Sequence, residues 1–340
     1  MRVFNVVKKH KFTTMVVVLI LLGFISITLG KYPISFSDFK KIILEKLFLI
    51  EYGLNPVMEK VVLEIRLPRI MAAILIGGSL SVAGASYQGI FNNPLVSPDI
   101  LGATAGAALG AAVGIICSWG IIGIQFSSFI FSIFAVGITY YVSSKVRQNN
   151  QVLVLVLTGI LVGTVFNSLV SLIKYLADPY NKLPTINFWL IGSLTGVDLK
   201  DVAVLLIISL ISLFPLYMMR WKLNVLSFGD EEAQTLGIET KKTRFGIIVF
   251  STLLTASSVA ICGVIGWVGL VVPHLARNIV GPNYKILLPA SFFMGASFLL
   301  IVDTMARTLF FIEIPLGIIT SLIGAPFYIW LLARSRRGWK

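Results

Sequence analysis

The chain has 340 residues, of which 57% are hydrophobic and 13% charged, and its formal net charge is +13. Soluble domains run near about 45–50% apolar and about 25% charged, so this composition excludes a water-soluble globular domain. A crossing helix needs about 20 apolar residues to span a core of roughly 30 Å, which leaves room for about ten spans in one membrane domain over residues 1–340. The expected fold is therefore all-α and polytopic, with the lipid bilayer as its solvent. Lys and Arg gather between apolar runs, where membrane topology explains the positive charge and nucleic acid is not an expected partner.

Met1 to Lys11 is basic, with Arg2, Lys8, Lys9 and Lys11, and leads into an apolar run from Phe12 to Gly30. The run is long for a signal-peptide core and ends without an Ala-x-Ala cleavage signal, so it reads as a retained first span with the N-terminus inside. Further spans are expected at Ile65–Gln88, Ile100–Cys117, Ile121–Tyr141, Val152–Ile173, Val202–Met219, Phe245–Cys262, Trp267–Val280, Leu287–Met305 and Pro315–Leu332. Trp267–Val280 is short and carries Pro273 and His274, as a broken helix covered by other protein can. Omitting it would put the basic C-terminus outside, against the positive-inside rule. Ile186–Leu194 is too short to cross and reads as an interfacial or re-entrant helix on the outer face, with Trp189 suited to that depth.

Basic residues collect at alternate connections. They precede the first span, follow the fourth at Lys145 and Arg147, bracket a central loop at Arg220, Lys222, Lys241, Lys242 and Arg244, and end the chain at Arg334, Arg336, Arg337 and Lys340. Both termini and the loop at 220–244 are thereby expected in the cytoplasm.

Gly102, Gly106, Gly110 and Gly114 recur every fourth residue, a small-residue stripe for close helix approach within the chain or between subunits. Between the span ends there is almost no ionisable side chain, whereas an ion-coupled carrier keeps such groups in its interior. Asp303, near the outer end of its helix, stands four residues before Arg307 and suits a local ion pair. No phosphate-binding P-loop, His-Glu-x-x-His or Gly-x-Ser-x-Gly occurs, so the chain is not expected to be an enzyme. Cys117 and Cys262 read as packing residues, and His274 lacks companions for a metal site; no cofactor or metal is expected.

The central loop contains Gly229-Asp-Glu-Glu-Ala-Gln-Thr-Leu-Gly237. Asp230, Glu231 and Glu232 suit a helix N-terminus, Ala233 and Leu236 give an apolar face at i,i+3, and Gly237 can stop the helix. This segment resembles the coupling helix of the iron-siderophore and cobalamin class of ABC importer permeases (FecCD-type). Arg66-Leu-Pro-Arg69, the run from Asn93 to Gly102, that from Gly263 to Arg277 and that from Glu313 to Pro326 are similar to that family's signatures, in matching order.

The resemblance implies a ten-helix permease in a bacterial cell membrane that takes up chelated iron or a similar metal chelate. It implies a second permease copy or paralogue, two separate ABC ATPase subunits that receive Gly229–Gly237, and an extracytoplasmic substrate-binding protein that meets Arg66, Arg69 and Arg307. A secondary transporter coupled to an ion gradient is the rival reading, and it would need an intramembrane coupling-ion site.

Overall fold

A computed structural model describes residues 2–48, 52, 54–146 and 151–335, so the basic residues Arg147, Arg336, Arg337 and Lys340 lie outside the described residues. Every regular element among the described residues is helical. Helices α1 (Arg2–Thr28), α2 (Phe36–Phe48) and α3 (Pro56–Lys60) come first; a π-helical stretch, Val61–Arg66, then runs into α4 (Leu67–Ile90). A single 3₁₀ turn, Pro98–Leu101, precedes α5 (Ala103–Ile116), followed by α6 (Ile121–Lys145), α7 (Gln151–Leu176), α8 (Lys182–Ile191) and α9 (Leu199–Met218). The remainder is α10 (Arg220–Leu226), α11 (Asp230–Thr235), α12 (Thr240–Cys262), α13 (Val268–Val280), α14 (Tyr284–Thr308) and α15 (Leu316–Ser335).

Seven of these segments are long and apolar enough to cross a membrane: Lys11–Thr28, Pro56–Ile90, α6, α7, α9, α12 and α14. Three shorter apolar helices, Ala103–Ile116, Val268–Val280 and Leu316–Trp330, occupy the other places where spans were expected. Two of the three are short because irregular backbone precedes them, at 91–102 and 263–267. Such backbone persists in a bilayer only when its polar groups find partners in the protein. Thr139 Oγ1 donates to Leu101 O at 3.0 Å, and Ser193 N donates to Cys262 O at 2.8 Å. Trp267, at φ 72°, makes the turn into α13 in the left-handed region, with its side chain against Gly324.

Helix α4 is the axis of the bundle, and every residue from Ile76 to Ile90 is buried. Small residues make this possible: a methyl group on Gly77 would overlap Gly295 O of α14, and one on Gly84 would overlap Gly269 O of α13. The stripe in α5 serves the same purpose within the chain. Gly106 and Gly110 rest on the backbone of α6 at Phe131 and Ser127, and Gly114 rests on Ile124. Gly102 differs, since it precedes the helix in a left-handed conformation (φ 85°) and faces Gly159 and Gly163 of α7. In contrast, α1, α6, α7 and α9 expose long apolar faces at the periphery, as lipid- or partner-facing helices do.

Helix α8 is the expected short helix. Lys182 Nζ reaches Ile115 O at the C-terminal end of α5 at 2.9 Å and also bonds Ser118 Oγ, which holds α8 at that end. Lys11 Nζ likewise donates to Ile279 O at 2.8 Å, joining the start of the first apolar run to the last turn of α13.

Gly84→Val places two methyl groups where a carbonyl already sits, so the detergent-solubilised protein is expected to lose folded yield and melt at lower temperature, by more than the roughly 1–3 kcal/mol typical of overpacking. Gly137→Val, on a face with nothing within 4 Å, is expected to leave melting unchanged when both variants are followed by size-exclusion chromatography after heating.

Candidate functional site at the two ends of the bundle

At one end, α10 and α11 form the loop between α9 and α12. Helix α11 is bracketed by Gly229 (φ 126°) and Gly237 (φ 76°), conformations that L side chains rarely adopt. Its end closes with Ile238 N on Ala233 O at 3.0 Å and Gly237 N on Gln234 O at 2.9 Å, a Schellman pattern.

The three acidic residues of its first turn divide their tasks. Asp230 accepts from both terminal nitrogens of Arg244 at 2.7 and 3.1 Å, and Arg244 also donates to Ile90 O at 3.3 Å, the last residue of α4. Glu231 and Glu232 are exposed. The expected apolar face of Ala233 with Leu236 does not form: Ala233 is buried in the core, whereas Leu236 is 59% exposed. Phe228, at 74% exposure, is the larger apolar group on this surface. Sequence reasoning counted Arg244 only as a topology charge and did not single out Phe228.

At the opposite end, Arg66, Arg69 and Arg307 come together but point inward, each less than a tenth exposed. Asp303 lies between two of them, accepting from Arg69 Nε at 2.7 Å and from Arg307 Nε at 3.1 Å. The i,i+4 pair expected for Asp303 and Arg307 is thus one half of a larger cluster. Arg69 also reaches Glu313 at 2.8 Å, and Glu313 accepts from Thr195 Oγ1 at 3.0 Å. Arg307 donates to Ser26 Oγ at 2.7 Å and Ser26 O at 3.1 Å, while Arg66 bonds the carbonyls of Ile27, Thr28 and Tyr32. The cluster therefore ties α1, α4, α14 and the loop after α8. Glu313 and Ser26 had no assigned role in the sequence; an Arg and an Asp at matching depths of two helices is the signal that could have joined them.

Three arginines against two carboxylates leave this cluster net positive. Burial pushes the Glu313 carboxyl up, but the hydrogen bond and charge of Arg69, with Thr195, outweigh it and hold the group below the usual carboxylate range. Among the described residues no group of three or more His, Cys, Asp or Glu could hold a metal ion, and His274 sits half-buried on α13.

Asp303→Ala strands two buried guanidinium groups, so a loss of about 3–5 kcal/mol is expected in thermal denaturation. A depressed carboxylate stabilises the fold above its unfolded pKa, and that contribution is lost as pH falls through the folded value. The melting difference between the unmodified chain and Glu313→Gln is therefore expected to be full at neutral pH and to close as pH drops below about 4.3.

Residues 18–334 match the family described as the FecCD transport family. The chain is 38% identical over 320 residues to the molybdate import system permease protein of Haemophilus influenzae, with 94% of each covered. It is 40% identical over 277 residues to an iron chelatin transport system permease protein of Helicobacter pylori, covering 81% of this chain and 83% of that one. A solved structure described as an inward-facing conformation of a metal-chelate type ABC transporter superposes with a TM-score of 0.86 at 35% identity, covering 96% of this chain and 99% of that one. The chain belongs to the FecCD transport family and is a multi-pass inner-membrane permease subunit, in which transport and not catalysis is the task.

Proposed function

We propose that this permease admits a metal chelate of the iron-siderophore kind by alternating access, driven by separate ABC ATPase subunits that engage α11. The observation that carries the reading is the tie from Asp230 through Arg244 to Ile90 O, which fastens an exposed surface helix to the buried central helix. A push on α11 then reaches α4, and a lever works only if its contacts persist in both states. Phe228, Glu231, Glu232 and Leu236 supply the exposed surface for the ATPase; Gly229 and Gly237 supply the turns that present it, while Asp230 and Ala233 hold it from behind.

The topology that suits this role has ten crossings, the seven long segments together with α5, α13 and α15. An even number returns the chain to its starting side. The Lys11 bond to Ile279, and the bond from Tyr284 N to Asn224 Oδ1 at 2.8 Å, support grouping the start of α1 with the 220–244 loop on the cytoplasmic side. A second permease chain, identical or paralogous, completes the pathway.

An extracytoplasmic substrate-binding protein is proposed to dock over this end, where the partly exposed Glu313 covers the inward-pointing Arg66, Arg69 and Arg307. Acidic side chains of that partner compete with Glu313, which is partly exposed, for Arg69 behind it. Exposed ion pairs are each worth roughly 0–1 kcal/mol, so several together orient the partner rather than hold it.

Uptake of a radioiron-labelled ferric siderophore in cells carrying Glu231→Arg with Glu232→Arg, at normal membrane abundance, is expected to fall at least about tenfold, as when interface hot spots are lost. A strain lacking the partner ATPase should behave alike. Uptake that persists in both and follows a proton or sodium gradient would overturn the reading.

A further inference from the structure

The irregular stretch at 91–102 does not lie at the membrane surface. Pro98 packs on Gly269, Ile100 O meets Gly159, and Gly269 in turn abuts Gly84. Gly84 is six residues before the end of α4, Gly269 eleven before the end of α13 and Gly159 eight after the start of α7. At 1.5 Å per residue these positions are about 9, 16 and 12 Å in from the helix ends. Asp99, between Pro98 and Ile100, is therefore set in from the ends of these helices, among spans long enough to cross a core of roughly 30 Å.

Asp99 is exposed on the surface of the chain, although protein atoms crowd round its carboxyl group. Its hydrogen-bond partner is Thr104 Oγ1, and among the described residues it has no ion pair with a basic group. A carboxylate at this level cannot rest against lipid without heavy cost, and intramembrane charges almost always face a water-filled cavity or the interior of a bundle. Sequence reasoning passed over it because Ile100–Cys117 was taken as the span, with Asp99 just outside.

The neighbouring helix has the same character. On α7, Thr164, Asn167, Ser168 and Ser171 are exposed on one side of a span otherwise rich in Leu, Ile and Val. The three hydroxyls donate to Ile160 O, Thr164 O and Asn167 O, at 2.9, 2.9 and 3.0 Å. With their protons turned back onto the helix, they present lone pairs outward.

We propose that Asp99 faces the water-filled translocation pathway, that the acceptor-rich face of α7 lines the same pathway, and that the carboxylate gives it a negative wall, so that cargo crosses as a neutral or cationic complex and free oxyanions are disfavoured. The proposal rests on the importer reading for the existence of the pathway, and with two permease chains the wall carries a carboxylate from each. A carboxylate in a low-dielectric channel raises the local concentration of cations and lowers that of anions.

The test uses the full chain in native membranes with its ATPase, carrying Cys117→Ser and the single reporter Thr164→Cys. Modification by a trimethylammonium methanethiosulfonate is compared with modification by its sulfonate counterpart, each corrected for its rate with a simple thiol. The cationic reagent is expected to react faster by about tenfold, and Asp99→Asn to abolish that excess while Asp99→Glu keeps it. An equal ratio with and without the Asp99 carboxylate overturns the proposal. So does Asp99→Cys, in the Cys117→Ser chain, that resists both water-soluble reagents yet reacts with a lipid-soluble maleimide, a measurement that stands even where Asp99→Asn does not accumulate. Neither readout involves cargo or ATP, so failure here leaves the importer reading in place, and failure of the uptake experiment leaves the charge of the pathway as measured.

Discussion

The fold depends on the contact of α4 with α13 and α14 at backbone distance. Lipid offers no hydrophobic gain for bringing helices together, so association relies on close packing and on hydrogen bonds. Gly77 against Gly295 and Gly84 against Gly269 supply the packing. Hydrogen bonds are made to other helices: Ser79 Oγ lies 3.0 Å from Ser209 Oγ of α9, and Tyr87 Oη lies 3.0 Å from Thr252 Oγ1 of α12.

Helix α4 also connects the two ends of the molecule. Arg69 near its start enters the cluster with Asp303 and Glu313, and Ile90 O at its end accepts from Arg244. The two residues are 21 apart, about 32 Å along a helix. The cluster at one end fixes α4 to α1 and α14, and the contact at the other fixes it to α11 and α12. A single buried rod is therefore held at both ends by arginines, whose forked donors can reach several acceptors at once.

Much of this architecture was legible in the sequence because the bilayer imposes a length and a polarity on each span. Seven of the expected spans are helices long enough to cross, the other three, Trp267–Val280 among them, are shorter apolar helices, and the expected short helix appears as α8. The glycine stripe in α5 was legible as a packing face, but which helix it met was not, since periodicity reports a face and not a neighbour. The surface loop was legible through Gly229, Gly237 and three acids. Its internal bond to Arg244 was not, because those residues stand 14 apart in sequence. The same holds for Arg69 with Asp303, separated by 234 positions. The depth of Asp99 was illegible for another reason: hydropathy marks where apolar runs stop, whereas the chain at 91–102 folds back into the bundle without forming one.

The division of work within α11 has a consequence for how such transporters diversify. The residues that secure the helix to its own chain, Asp230 and Ala233, are on one side, and those open to another molecule, Glu231, Glu232, Leu236 and the preceding Phe228, are on the other. On the coupling role proposed for α11, substitution on the open side would change which ATPase the permease accepts and leave the anchorage intact. A duplicated gene can thus drift toward a new ATPase, or keep sharing an old one, without first having to refold its membrane domain.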